Sequence, residues 1–416
     1  MKSERTQGPG LKHLAYFETI ASAPEGSIGA LAATAGLLTL RLIDHWMLAG
    51  SVMVELDSVS VRSARHAIMA MADTDPSREV LIGLVNTMQT LREADTTPIL
   101  PRLLAYASLL ERQADFALAA DVYGTVIGLA DEQYDGDLLL DARLLLGFCE
   151  RTLSQWEAAE HTLTEAGRVA RRRGEPAKAM RAGVGVAAAV FGRGNVPRAD
   201  EMLRGIVEEC RHGGFREELG QALHASANVA SIRSEHARAV LLAYEALEST
   251  SDAVESERLL SDLGAFFARM GRFEAARDAL LVLEGRATTE EVRSVARANL
   301  VAVGARSGDR ALFQASIARV RAEQLAPFAR VNFLIESARG YRRFGEEVLG
   351  ESRLEEARTL AAEHRLNRAI IEIDEMTTRR PTPVTAVETP VLTAPDGAPV
   401  AHVEGALRKL AASLAG

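Results

Sequence analysis

The sequence predicts an all-α fold, a right-handed α-solenoid of helix-turn-helix repeats, and three observations carry that prediction. The first is the stretch Leu263 to Leu283, in which Leu263-Gly264, Phe267, Gly271-x-Phe273, Ala275-Ala276 and Leu280 fall at helical spacing around a glycine-marked turn. Two helices joined there touch through the small residues Gly264 and Ala276, while Leu263, Phe267, Phe273 and Leu280 fill the seam. The second is recurrence: a second-helix alanine returns at 119, 159, 199 and 239, three steps of 40, and at 276 after a step of 37. An equal step reaches Phe313, in a repeat marked by Gly308-Asp309 and Ile317. The last match, Tyr341, Phe344-Gly345, Val348, Leu354 and Ala357, ends 44 residues after Phe313. The third is composition, with aromatics at 5% and alanine plentiful, a bias that close helix packing favours. A single hairpin cannot bury its apolar face, so such hairpins must stack.

In order, residues 1–26 read as a polar tail and a short helix, Leu11 to Ala21, stopped by Pro24-Glu25-Gly26. Residues 27–97 form a helical N-terminal region. Ser27 to Ala49 is a long apolar helix ended at Gly50, and Val61 to Met71 and Ser77 to Leu91 are two more. Asp75 can cap the last of these, with Pro76 in its first turn. The region has no clean repeat signature, so degenerate repeats and a separate helical cap both remain open. Residues 98–376 carry the repeats and end in a capping helix, Asn367 to Met376. Residues 377–401 hold five of the 13 prolines and read as a disordered, extended linker. Residues 402–416 return to helix, with Val403, Leu407, Leu410 and Leu414 at i, i+4, i+7 and i+11. A helix that short is marginal alone in water, so its stripe implies a docking surface. Either the protein's own terminal hairpin or a groove on another protein could supply it.

The type stretch resembles the tetratricopeptide repeat, whose pattern is W-x2-L-G-x2-Y followed by A-x3-F. Here Leu263-Gly264-x2-Phe267 and Ala276-x3-Leu280 stand in those places. Steps of 37 to 40 exceed that family's usual 34, and armadillo and HEAT repeats are the structural alternative. The resemblance implies six or seven hairpins whose first helices line a concave, peptide-holding groove. Carried over repeat by repeat, the groove positions are Asp141, Phe148 and Arg151, then Arg181 and Phe191, then Gln221, His224 and Asn228. Arg258, Ser261, Asp262 and Arg269 follow, then Asn299 and Arg306. Arg151, Arg181, His224, Asn228, Arg258, Arg269, Asn299 and Arg306 are the candidate partner-binding residues. Five arginines against two aspartates imply an acidic or carboxylate-bearing peptide. The Lys-Asn-Asn-Lys-Arg set with which some family members clamp a peptide carboxylate is not reproduced.

No enzymatic constellation is present. There is no Gly-x-Gly-x-x-Gly opening a helix after a strand, no Walker loop, no Gly-x-Ser-x-Gly and no His-Glu-x-x-His. Cys210 and His212 are neighbours, but two ligands do not make a zinc site. No cofactor, metal or catalytic residue is expected. Lys+Arg 48 against Asp+Glu 57 gives a net charge of -9, which argues against nucleic acid. The run Arg171-Arg172-Arg173 before Gly174 reads as a helix C-terminus where cations suit the dipole. Residues 27–40 are uncharged for only 14 residues, a length that suits a buried helix rather than a membrane span. The N-terminus lacks the form of a signal peptide, and the two cysteines read as reduced packing residues, so the expected location is cytoplasmic. The expected role is a non-enzymatic interaction scaffold or adaptor with a protein or peptide partner. The alternative is a peptide- or ligand-responsive sensor module of a bacterial signalling or transcription system.

Overall fold

The computed structural model describes residues 12–48, 58–90, 96–364, 366–378 and 394–415, and among them there is no strand. The first helices are α1 (Leu14–Ser22), α2 (Ile28–Leu48), α3 (Ser58–Met69), α4 (Pro76–Thr90), α5 (Leu100–Arg112) and α6 (Phe116–Leu129). Next come α7 (Gly136–Thr152), α8 (Trp156–Arg173), α9 (Pro176–Gly192), α10 (Val196–Gly213), α11 (Arg216–Ile232), α12 (His236–Ser249) and α13 (Ala253–Arg269). The chain continues with α14 (Phe273–Arg286), α15 (Glu290–Ser307), α16 (Arg310–Ile317), α17 (Pro327–Arg343) and α18 (Glu347–Glu363). It ends with α19 (Asn367–Thr378) and α20 (Ala394–Ala415). Two compact units, residues 1–199 and 200–416, divide the chain at a point inside α10.

One backbone turn makes the hairpins. Residues 114, 154, 194, 234, 271, 308 and 345 all lie in the left-handed region, with φ between 59° and 86°. Their spacings are 40, 40, 40, 37, 37 and 37. At six of these turns the next amide reaches back to the carbonyl five residues earlier, as from Asp115 to Leu110 at 2.9 Å and from Arg272 to Phe267 at 2.9 Å. That bond caps the first helix and aims the chain into the second. Between α15 and α16 the shorter bond from the Gly308 amide to the Gly304 carbonyl, 3.0 Å, does the same job. Glycine accepts this backbone freely at 271, whereas Ala114, Ser154 and Ser234 hold it against the steric cost of a Cβ. The hairpins are tetratricopeptide-like, all-α and stacked in sequence order within each unit.

Five residues after each left-handed position stands the residue that meets the first helix. Ala119, Ala159, Ala199, Ala239 and Ala276 are fully buried there. The sixth is Phe313 and the seventh is Gly350, so the last repeat keeps the step of 37, and Ala357 is not its equivalent position. A Cβ at Gly350 would come within 2.7 Å of Arg342 Cγ and 3.2 Å of the Ala338 carbonyl oxygen, which is why the smallest residue occupies this crossing. Replacing Ala276 with leucine is expected to overpack the α13–α14 seam and cost about 1–3 kcal/mol. Glu274→Gln, whose side chain is 82% exposed, should leave stability within about 0.5 kcal/mol. Thermal melts followed by circular dichroism compare the two, and equal melting of both with the parent would contradict the pairing.

In the first unit, α1 packs on α2 and α6, α2 on α3 and α4, and α4 on α5. One buried cluster runs from Tyr16 to Cys149, so residues 27–97 share their core with the α5–α6 hairpin. The Tyr16 hydroxyl donates to that of Tyr106 at 3.3 Å inside it. His13, itself left-handed and 6% exposed, touches Asp121 at 2.5 Å and Asp44 at 3.1 Å, and so fixes the start of α1 to α6 and α2. Ile28 to Met47 is long and apolar enough to cross a membrane, with a mean hydropathy of 1.2, and half of that window is buried in the protein.

In the second unit the hairpins α11–α12, α13–α14, α15–α16 and α17–α18 are followed by α19. The C-terminal helix departs from expectation. It begins at Ala394 rather than 402, while α19 runs through Thr378, so helices occupy both ends of the expected linker and residues 379–393 lie outside the described part. Proline suits a first helical turn, which admits Pro395, and Pro399 forgoes one amide bond close to the helix start. Val400, fully buried, offsets that loss.

Candidate functional site: the first-helix face and the C-terminal helix

The first helices α7 and α9 of the first unit carry two of the predicted arginines. Arg151 lies in the last turn of α7 with its guanidinium 5.7 Å from the centre of the Phe148 ring. Its Nε is buried without a hydrogen-bond partner, and burial pushes its pKa down. Asp141 pairs with Lys178 of α9 at 2.8 Å, and Arg181 is exposed on α9. Two arginines of the run after Arg168 pair at the adjoining helix ends: Arg172 with Glu132 ahead of α7, and Arg173 with Asp137 of α7 at 2.6 Å and with Glu175 ahead of α9 at 3.2 Å. Gly174 closes that helix in the left-handed conformation.

The other six predicted residues lie on α11, α13 and α15 of the second unit. His224 is clamped between two carboxylates of α13, with Nδ1 2.6 Å from Glu255 and Nε2 2.8 Å from Asp262. Burial lowers its pKa, but the hydrogen bonds to Asp262 and Glu255 prevail and raise it from 6.5 to about 9. The imidazole is therefore a cation at neutral pH, donating through both nitrogens. Arg269 donates back to the Ser231 hydroxyl of α11. Arg306 grips Glu336 of α17 through two bonds, 3.1 and 2.5 Å, and Arg339 continues the series to Glu372 of α19 at 3.1 Å.

These residues staple successive first helices to one another. Glu255 and Asp262, Ser231 and Glu336 thus engage His224, Arg269 and Arg306 within the protein. Arg258 is different, with a side chain 63% exposed and no closer carboxylate contact than 3.7 Å to Glu255. Asn228 and Asn299 are half-buried, and among the described residues their side-chain amides make no hydrogen bond. The missed partners sit 30 to 38 residues away, one repeat along, as His224 to Glu255 (31) and Arg306 to Glu336 (30) show. Scanning for opposite charges at separations of 30 to 38 residues, from one first helix to the next, would have found the charged ones.

The C-terminal helix docks on the second helices α12 and α14, not on the terminal hairpin α17–α18. Val403 and Leu407 are buried, Leu410 is half-buried and Leu414 is 47% exposed. Val400 is a further buried anchor, missed because Pro399 read as linker. Glu404 lies 3.8 Å from Arg272, Arg408 lies 3.8 Å from Asp278, and Leu414 packs beside Gly285, so α20 runs parallel to α14. The His402 ring meets Tyr244 of α12 edge-on at 6.5 Å. The sequence signal was on the acceptor. Where α8 places His161, Thr164, Glu165 and Arg168 on its outer face, α14 places Asp278, Leu281, Val282 and Gly285.

No cluster of three or more histidine, cysteine or carboxylate side chains suited to a metal occurs among the described residues. Cys149 and Cys210 are buried free thiols, pushed by burial up to about 12 and about 11. They are poor nucleophiles in that state. No protein-family model and no curated protein matches the chain. Among solved structures, it resembles the Rap conjugation gene regulator of plasmid pLS20 in complex with the Phr* peptide, at 12% identity and TM-score 0.49 over 83% of this chain and 97% of that one. It also resembles a Rap protein complexed with competence and sporulation factor, at 9% and 0.48 over 80% and 99%. A third is the STAND signal-transduction ATPase with a tetratricopeptide repeat sensor from Pyrococcus horikoshii, at 11% and 0.43 over 90% and 68%.

Proposed function

We propose that the chain is a cytoplasmic, non-enzymatic interaction scaffold whose first-helix face on α11, α13 and α15 holds an extended peptide segment of a partner protein. The observation that carries this reading is the pair Asn228 and Asn299. On a face where His224, Arg269 and Arg306 are all engaged within the protein, these two half-buried amides make no hydrogen bond among the described residues. Each offers two donors and an acceptor, the complement of a peptide backbone. Arg258, exposed beside them in sequence order on α13, supplies a cation for an acidic side chain or a terminal carboxylate.

The test is capture from the native cell by the immobilised full chain, with bound proteins identified by mass spectrometry. Asn228→Ala/Asn299→Ala is expected to weaken the captured partner's binding by about 1–3 kcal/mol, the loss of two net hydrogen bonds, with melting unchanged. Arg258→Glu should act more weakly, by about 0–1 kcal/mol, and only at low salt. Undiminished capture by the double asparagine variant would remove this face from the mechanism.

A further inference from the structure

The outer face of α12 and α14 is built to receive a helix, and the helix it holds fits it incompletely. Val400, Val403 and Leu407 of α20 are buried there, at 0%, 2% and 0% exposure. The polar contacts flanking them fall short of hydrogen bonding. Arg272 Nε to Glu404 Oε1 and Arg408 Nε to Asp278 Oδ2 are both 3.8 Å. Arg272 Nε, Asp278 Oδ2 and Glu404 Oε1 are all buried without a hydrogen-bond partner, so three such orphaned atoms gather at one helix–helix contact. Orphaned buried polar atoms oppose docking, and more so when they carry charge. The tip of α20 adds little, since Leu414 stays 47% exposed.

We propose that the α12–α14 face is an acceptor for an amphipathic helix of a partner protein, and that α20 is the internal helix which that partner displaces. The partner helix runs parallel to α14. It carries apolar residues in the i, i+3, i+7 pattern of Val400, Val403 and Leu407, with an acidic residue after the second and a basic residue after the third. Its carboxylate reaches Arg272 Nε and its cation reaches Asp278 Oδ2 within hydrogen-bond distance, satisfying the atoms that α20 leaves unpaired. Tethering through residues 379–393 gives α20 a high effective concentration at the site, which the partner overcomes through those better-made contacts. While α20 is docked, only the fraction of molecules with an open face binds, and the partner's apparent affinity falls by that fraction. This surface is separate from the first-helix face and goes beyond the function proposed for it.

The probe is a labelled synthetic peptide of residues 394–415, titrated against the full chain by fluorescence anisotropy. Leu407→Asp in the full chain removes an anchor of its own α20 and leaves the acceptor intact. Glu404→Lys/Arg408→Glu does so by charge alone. Both variants are expected to bind the peptide at least tenfold more tightly than the parent. Adding Asp278→Lys to either should abolish that gain, and a peptide carrying Glu404→Lys/Arg408→Glu should bind the Leu407→Asp chain at least tenfold more weakly than the unmodified peptide. Hydrogen exchange on the parent gives an independent reading: amides of 400–410 should open at least tenfold more often than those of 276–283. Equal peptide binding by parent and variants would overturn the proposal, as would protection of α20 equal to that of α14. A parent dimer in light scattering whose α20 exchanges between copies would also overturn it, because the occupant would then be a second copy of this chain.

Discussion

Phe313→Ala is expected to destabilise the second unit by about 3–5 kcal/mol, the cost of emptying an aromatic site that cannot collapse. Phe313 stands where five other repeats place a fully buried alanine, and is itself 1% exposed. Its ring meets those of Tyr341 and Phe344, each with centroids 5.3 Å away. The facing positions carry no side chain, which makes room for the ring at Gly340 and for the close approach of the Phe313 backbone at Gly304. A Cβ at Gly340 would lie 2.1 Å from Phe313 Cε2, and one at Gly304 would lie 2.7 Å from the Phe313 backbone nitrogen. The exchange of small for large has been compensated across two helices. Gly340→Leu alone should therefore cost about 1–3 kcal/mol through overpacking. In the double variant Phe313→Ala/Gly340→Leu, the new side chain enters the vacated space, so the loss should be smaller than the sum of the two. Chemical denaturation followed by circular dichroism, with hydrogen exchange read over α15 to α18, measures all three. Strict additivity would show that Phe313 and Gly340 do not share one site.

The same compensation explains what the sequence makes legible and what it hides. The repeats are readable because a left-handed turn followed five residues later by a small side chain is a local, periodic pattern, and Ala119, Ala159, Ala199, Ala239 and Ala276 mark it. At Phe313 the pattern survives only through Gly304 and Gly340, and at Gly350 a glycine replaces the alanine, so a search for alanine slides on to Ala357. The first-helix residues were legible as positions but not as chemistry. Whether Arg306 faces a ligand or Glu336 depends on the next hairpin, and no window within one repeat contains both. The start of α20 was hidden by Pro395 and Pro399, which mark a boundary in isolation and are admitted here at the beginning of a packed helix. In residues 27–97 no hairpin turn of the repeat kind occurs among the described residues, and their apolar spacing alone carries no register.

Between pH 6.5 and about 9 the protein is expected to lose about 3 kcal/mol of stability through His224 alone. The unfolded chain releases this proton near 6.5. The folded chain keeps it to about 9, because burial, which favours the neutral ring, is outweighed by the hydrogen bonds to Asp262 and Glu255. The folded state therefore binds more protons in this interval, and stability must fall as pH rises through it. The contribution is complete below pH 6.5 and gone above about 9. The ring is only 14% exposed, so solvent screening takes little from it. Glu255 shows the other side of the pair: burial pushes its carboxyl up, but the bond to His224 holds it below the usual carboxylate range. Its share is present at neutral pH and lost on acidification. The buried thiols of Cys149 and Cys210 also favour the folded state less as pH rises above 9, which the unfolded thiols reach first. A comparison with His224→Gln removes that background. Denaturation at pH 6, 7.5 and 9 should give a stability gap between parent and variant that is widest at pH 6 and narrows by about 3 kcal/mol at pH 9. A gap that stays constant across those values would mean that His224 is not held as a cation between α11 and α13.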